Sequence, residues 1–571
     1  MTDARKFLVA VTCGIVAAFV DVHSQSAVSG GGLDPANILK PLGDSWSTYS
    51  GDYSGKRYST LTQINQATVK NLTLAWTTRL TAGSGGGGGG GRGGGGGAAV
   101  IVGGEGTGDF GAGQAANIKG AILQVNGILY VSVPDNAWAI DARDGREIWH
   151  YHWKTRGGTH IGNRGLGMWN DYLFMETPDN YLVSLDARTG KERWHKVIAS
   201  FEQEYFSTMA PIVVGNHVLV GTGNDLDAPG FLQSFDPQTG ALQWKLYTVP
   251  MNDGDPGLET WKDLDAARHG GAQVWVPGSY DPESHLYITG TGNPTPAYTS
   301  QVRGEGDNLF TCSLIAVDVE TGKMRWYYQT SPHDTHDWDS AQTPVLVDAP
   351  INGRMRKLVL TAARNGYYFT LDRVNGEHIV TGKISDTVNW AKGINELGQP
   401  VRDPKKDHDI AGALVSAANG GAVNWPPPSF SPDTGLFYVP VSESWAMYYL
   451  TETDPRGAMG LGGKEEVGLG GDTFLTAIDY KTGKTVWRVK YPSVGGGGGG
   501  AGVLTTAGKL LFAGDAGGNI VARDPANGKP IWHARVGALS NAPETYAIEG
   551  KQYLLVASGD TLYAFALYEP R

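Results

Sequence analysis

From position 331 to 339 the chain reads Ser331-Pro332-His333-Asp334-Thr335-His336-Asp337-Trp338-Asp339, with two histidines and three aspartates close together. Imidazole and carboxylate groups in such a cluster can ligate a metal ion or take a proton from a substrate hydroxyl. A zinc or iron site built from His333, His336 and an Asp is one reading. A polar loop whose aspartates make turns is another. Two further segments set oxygen-bearing side chains at strand ends. Gly290-Thr291-Gly292-Asn293-Pro294 follows the strand-like run 286–289, and Gly221-Thr222-Gly223-Asn224-Asp225 follows the run 217–220. Asn and Asp oxygens suit a hard cation such as calcium, and the glycines let a ligand approach the backbone. Recurrence at matching ends of neighbouring repeats places both segments at one site on a shared axis.

The elements that must position these groups are repetitive. The pairs Asp141/Trp149, Asp186/Trp194, Asp236/Trp244, Asp318/Trp326, Asp479/Trp487 and Asp524/Trp532 share one template: an apolar residue, Asp, two variable residues, Asn/Asp/Thr-Gly, three more and Trp. A seventh copy from Asp372 keeps the Asn375-Gly376 turn but ends in Val380, and Leu72-Thr73-Leu74-Ala75-Trp76 keeps the tryptophan without the turn. Asp bonds the amides beyond it and Gly supplies a positive φ, so each copy reads as two antiparallel strands joined by a tight turn. A β-type repeat of roughly 40–50 residues indicates a propeller or solenoid. The expectation is an all-β, eight-bladed propeller of four-stranded antiparallel blades, with indoles at the seams and the strands 554–557 and 562–566 returning to complete the blade of Trp76. The intervals 237–317 and 373–478 are the long ones. They carry insertions, and insertions on a rigid scaffold are where function sits.

The 571 residues carry a net charge of −11 and no run of Lys/Arg, which argues against nucleic acid or an anionic membrane surface as partner. Of 83 glycines, many fall in tracts at 83–97 and 495–500, expected as flexible loops. Arg5 and Lys6 precede an apolar run from Phe7 to Val20 that is short of the ~20 residues a spanning helix needs. Residues 1–30 therefore read as a secretory signal or an uncleaved anchor, with the propeller occupying 31–571 and the protein expected in the periplasm. Cys13 and Cys312 are the only cysteines, so the sequence holds no CxxCH haem attachment.

Several separated motifs resemble the quinoprotein alcohol dehydrogenase family, propellers that bind pyrroloquinoline quinone (PQQ) with a metal ion. They are Trp46-Ser47-Thr48-Tyr49, Gly55-Lys56-Arg57-Tyr58-Ser59-Thr60-Leu61, Gln63-Ile64-Asn65, Leu74-Ala75-Trp76, 290–294, Pro332-His333-Asp334 and Arg364-Asn365-Gly366. The resemblance implies Asp337 as the catalytic base, taking the hydroxyl proton as hydride moves to the quinone C5. It implies Asn293, Asp225, Asp337 and Asp339 around the metal, which would polarise the C5 carbonyl. Trp275, outside the Asp-to-Trp frame, matches the indole under the planar cofactor. Arg164 and Arg364 match cations on the cofactor's carboxylates and oxygens, and Thr208, Thr222, Gln273, Asn424 and Lys119 match other positions lining it.

The chain also departs from the family pattern. Gly158-Thr159 stands where the alcohol dehydrogenases have a vicinal disulfide, and Lys119 stands where the methanol enzymes have a glutamate. The tryptophan expected near Gly500 is replaced by the second glycine tract. Asp339 matches an extra aspartate of lanthanide-dependent relatives, though membrane glucose dehydrogenases with calcium or magnesium carry it too. The expected function is an exported PQQ- and calcium-dependent dehydrogenase, a lanthanide being the alternative metal. It would oxidise an alcohol or sugar and pass electrons to a separate acceptor such as a cytochrome c or a quinone. The rival readings are a non-catalytic propeller of the outer-membrane assembly type and a metal hydrolase built on His333 and His336.

Overall fold

The computed structural model describes residues 32–84, 99–108, 117–223, 227–450, 464–491 and 501–568. The N-terminal segment 1–30, nearly all of the first glycine tract, the whole of 495–500 and the ligand candidate Asp225 lie outside them. No helix among the described residues is long and apolar enough to cross a membrane.

The described residues form eight sheets of four or five strands, besides one two-stranded hairpin. The simplest is a meander of Gly167–Trp169, Tyr172–Glu176, Tyr181–Asp186 and Glu192–Val197, all antiparallel. Middle strands are buried on both faces, as in Ile128–Val133 and Asn136–Asp141, because a sheet stands on either side of each blade. Outermost strands alternate instead: in Leu242–Tyr247, Trp244 and Leu246 turn inward between exposed neighbours. Closure follows the expected route. Leu72–Arg79 pairs with Thr561–Leu567, Trp76 lies opposite Ala564, and Lys551–Ser558 and Glu544–Ile548 complete that sheet from the C-terminal side.

The Asp-to-Trp frame encodes both a turn and a seam. In each turn the Asp carboxylate accepts backbone N–H bonds from residues two or three ahead, as Asp186 does from Arg188 and Thr189. The turn glycines take φ between 66° and 78°, where a side chain is strained. At five seams the indole N–H of one sheet then bonds the carbonyl of the residue that follows the frame Asp in the next sheet, whereas the Trp194 indole N–H is buried without such a bond. Trp76 reaches Ala142 O, Trp149 reaches Ala187 O, Trp244 reaches Val319 O, Trp326 reaches Arg373 O and Trp487 reaches Pro525 O, at 2.7–3.2 Å. Each of these rings lies against the next turn glycine: a Cβ on Gly145, Gly190, Gly322, Gly376 or Gly528 would come within 2.5–2.8 Å of it. Val380 fills the same place against Gly483, and at the last seam Trp532 meets Phe565 edge-on. Spacing is thus fixed because one nine-residue unit has to reach both its own turn and its neighbour's.

The long intervals hold what the repeat does not need. Residues 237–317 include a short helix, Leu264–Arg268, and the loop that carries Trp275. Residues 373–478 include the hairpin Ala391–Ile394 with Pro400–Arg402, and long arms from Leu436–Tyr449 and Lys464–Asp479 that pair beyond the blade.

Gly190→Ala separates the seam from the turn. It combines φ 68° with a Cβ 2.7 Å from the Trp149 ring, whereas Gly215, at φ 57°, has nothing within 4 Å of an added Cβ. Gly215→Ala should cost about 1 kcal/mol from backbone strain, and Gly190→Ala about 1–3 kcal/mol more from the indole it displaces. Chemical denaturation would give the two values, and equal losses would contradict the seam.

Candidate active site

Asp339 is the hub of the site. Its carboxylate is buried, yet three segments donate to it: the Trp275 indole N–H at 3.0 Å, the backbone N–H of Asn293 at 2.5 Å and Arg364 Nη2 at 3.2 Å. Burial raises the Asp339 pKa, and the Arg364 charge and the two N–H bonds oppose that rise without cancelling it. Arg364 also binds Asp337, with Nη1 2.9 Å from the main-chain oxygen and 3.3 Å from Oδ1. Asp337 itself sits at φ 65° with its side chain partly exposed at the mouth of the site. The turn bearing Arg364 is fixed from behind, because Asn365 Nδ2 donates to Thr330 O and Ser331 Oγ. The sequence-distant residues Trp275, Asn293, Asp337, Asp339 and Arg364 therefore meet at one place.

Arg164 completes the floor with a second cation. Its guanidinium lies 4.5 Å from the Trp275 ring centroid, and Arg364 lies 5.5 Å from the same ring. Arg164 donates to Thr208 through both the main-chain oxygen and the hydroxyl. Asn163 holds its backbone by accepting from Gly165 N and Ser132 Oγ. Burial first, and then the Arg364 charge, pull the Arg164 pKa down to about 10 against the attraction of Tyr49 and Glu176. Its Nε is buried without a hydrogen-bond partner, and among the described residues no carboxylate pairs with it. Lys119, whose Nζ donates to Ile161 O at 2.7 Å, has a pKa lowered by burial and by Arg164. Two guanidinium groups thus lie over one indole with Lys119 close enough to Arg164 to perturb it, and among the described residues only Arg364 has its charge matched by a carboxylate.

The remaining expected residues are less uniformly placed. Thr222 Oγ1 donates to Gln273 Oε1 at 3.3 Å and Gln273 Nε2 to Ala228 O, so these two form one buried pair at the loop that carries Trp275. Asn424 bonds locally, to Gly420 O and Trp425 N, and presents the adjoining Trp425 to Arg164 at 5.3 Å. Trp425 was not among the expected residues, although it carries the same signal as Trp275: an indole outside the Asp-to-Trp frame. Glu176 was also missed. It is fully buried, accepts from Met209 N, and burial holds its pKa well above the usual range despite Arg164 nearby.

The histidine cluster does not form a metal centre. His333 Nδ1 faces Gly306 O and His336 Nε2 faces Lys406 O, and burial lowers both pKa values to about 4. His336 stacks on Trp338 at 4.3 Å. Among the described residues no three His, Cys, Asp or Glu side chains converge as metal ligands. The hydrolase reading fails here, because imidazoles that look like ligands in sequence are spent on carbonyls and stacking. Asp337 and Asp339 supply carboxylate oxygens at Arg364, and Asn293 meets Asp339 through its backbone N–H, while Asp225 lies outside the described residues.

Residues 46–384 match the family model for the β-propeller domain of PQQ-dependent glucose, ethanol and alcohol dehydrogenases, and 470–569 match that of the outer membrane protein assembly factor BamB. The chain is 33% identical to the quinohemoprotein alcohol dehydrogenase of Comamonas testosteroni, over 90% of this chain and 72% of that one. The crystal structure of that enzyme superposes with a TM-score of 0.81, covering 94% of this chain and 83% of the other. A 1-butanol dehydrogenase (cytochrome c) of Thauera butanivorans is 28% identical over 90% of this chain and 74% of its own. A europium-containing methanol dehydrogenase, 26% identical, superposes at 0.79 over 93% of this chain and 99% of that one. With a propeller of four-stranded blades, an indole floor under converging cations and relatives matched over most of its length, the chain belongs to the PQQ-dependent alcohol dehydrogenase family.

Proposed function

We propose that the chain is an exported dehydrogenase that oxidises the hydroxyl of an alcohol or sugar with PQQ and a calcium ion, and hands the electrons to a separate acceptor such as a cytochrome c. The observation that carries this reading is the buried Arg164 guanidinium. It lies on the Trp275 ring beside Lys119 and Arg364 with a donor unmet. A flat face lined with unneutralised cations fits a planar polycarboxylate, and a scaffold propeller has no use for that charge.

When bound, PQQ supplies the two-electron acceptor and the metal supplies Lewis-acid polarisation. The chain's own groups do the rest. Trp275 supports the ring plane and is kept from rotating by its bond to Asp339. Arg164, fixed by Thr208, holds carboxylate oxygens, and Lys119 adds charge at the rim. Asn293, Asp337 and Asp339, with Asp225, would hold the metal, and their oxygens suit a hard cation. Asp337 is the base: Arg364 at 3.3 Å stabilises its carboxylate, and partial exposure lets a substrate hydroxyl reach it. Calcium is the first choice. The extra carboxylate of Asp339 and the europium-containing relative support a lanthanide as the second. The cytochrome in the name of the butanol-oxidising relative supports a cytochrome c as the acceptor. Export rests on the N-terminal charge and apolar run alone.

Reconstitution tests the reading: PQQ with Ca²⁺ or La³⁺ should support dye reduction by members of a panel of alcohols and aldoses. Absence of PQQ binding under either metal, by absorbance, would overturn it. Asp337→Asn should lower turnover by about 10²–10⁴-fold while PQQ stays bound, and normal turnover would remove Asp337 as the base. Arg364→Met leaves the buried Asp339 without its cation and should cost about 3–5 kcal/mol of folding stability. Adding Asp339→Asn should restore part of that loss, and strict additivity in denaturation would contradict the pairing.

A further inference from the structure

Residues 156–163 form the surface loop that leads directly into Arg164. Gly157 and Gly158 take φ of 135° and 95°, and a Cβ on Gly158 would lie 2.4 Å from Pro178 O. Thr159 and Ile161 are exposed. Such a stretch gains little from burial, and this chain has no cysteine near it to fix it covalently. Polar tethers hold it instead. Arg156 N donates to Asp179 Oδ2 at one end, Asn163 accepts from Ser132 at the other, and Lys119 bonds Ile161 O between them.

The remaining tether has an unusual geometry. His160 Nε2 lies 2.7 Å from Asp135 Oδ2, and His160 Nδ1 lies 2.9 Å from Gly158 O. With the Asp135 carboxylate ionised both partners are acceptors, so both ring nitrogens carry protons and the ring is an imidazolium. Asp135 is fully buried in the turn between Ile128–Val133 and Asn136–Asp141, with φ 63°. The same turn accepts Trp153 N through Asp135 O, so the anchor belongs to the blade and not to the loop.

We propose that His160 is a positioning residue for the cofactor site: charged, it pins the 156–163 loop to Asp135 and so fixes the backbone from which Arg164 reaches the site beside Trp275. This rests on the PQQ reading above for its purpose, not for its geometry. Burial opposes charging of His160. The Asp135 carboxylate, the Gly158 carbonyl and the more distant Asp179 outweigh it and hold the ring's pKa above the usual histidine range. Of the other charged groups on the loop, Arg156 is 3.8 Å from Glu202, and Lys119 meets the loop through a carbonyl. A pKa raised in the closed loop means that the tether is complete below about pH 6.5 and is lost as the pH rises through the closed-loop pKa. The site should therefore hold its cofactor more tightly in acid than in alkali.

Two measurements from about pH 5.5 to about pH 9 separate the tether from its use. Hydrogen exchange of residues 156–164 in the cofactor-free protein, corrected for intrinsic rates, should lose protection as the pH rises. His160→Gln should show low protection with no pH dependence, and His160→Lys should restore part of it. PQQ titrated into the same proteins should bind wild type about tenfold more weakly at the alkaline end, with a flat profile for His160→Gln. Protection that is independent of pH, or a glutamine variant that keeps the wild-type profile, would overturn the proposal. A pH-dependent tether in a protein that binds no PQQ at any pH would overturn the cofactor reading alone.

Discussion

Each sheet of this molecule is apolar on both faces, and no sheet can be stable until a neighbour covers each side. The contact that satisfies this condition is an indole laid against the Cα of a turn glycine in the next sheet, with its N–H on the adjoining carbonyl, as Trp149 does at Gly190 and Ala187. Because each sheet offers a side chain to one neighbour and receives one from the other, a ring at all but the Val380 seam, the arrangement has no natural end except closure. Pairing of Leu72–Arg79 with Thr561–Leu567 provides it. A closed ring is rigid at its centre, so side chains from positions as far apart as 164, 275, 339 and 364 can be held to hydrogen-bond tolerance.

The site uses that rigidity to keep charge out of balance. Asp339 and Arg364 neutralise one another where the floor, the 290–294 segment and the 331–339 segment meet. Arg164 and Lys119 are left without such a partner among the described residues, at a desolvation cost visible in their lowered pKa values. Buried charge of this kind persists where a ligand of opposite sign repays it. The geometry thus separates a self-satisfied half, which places Asp337, the base we propose, from an unsatisfied half, to which we assign binding.

Much of this was legible in the sequence, and the reason is physical. A turn that needs a positive φ and a seam that needs a flat ring each leave one residue type at a fixed distance, so 141–149 and its copies announce the fold. Trp275 was singled out by the family resemblance, with its place outside the frame in support, and Trp425, also outside the frame, was overlooked. Other features had no sequence signal. Whether His333 and His336 are ligands depends on where Gly306 O and Lys406 O lie, and those carbonyls come from segments about 30 and 70 residues away. The charge of His160 likewise follows only from seeing an acceptor at each ring nitrogen.

We propose that the Trp275 face, now covered by the Arg164 guanidinium, is the seat of a planar anion. A crystal structure of the protein with PQQ and Ca²⁺ is the decisive test. Planar density parallel to the Trp275 indole is expected, with Arg164 withdrawn from the ring to the edge of that density. Density elsewhere, or a guanidinium still stacked on Trp275 at saturating PQQ, would contradict it.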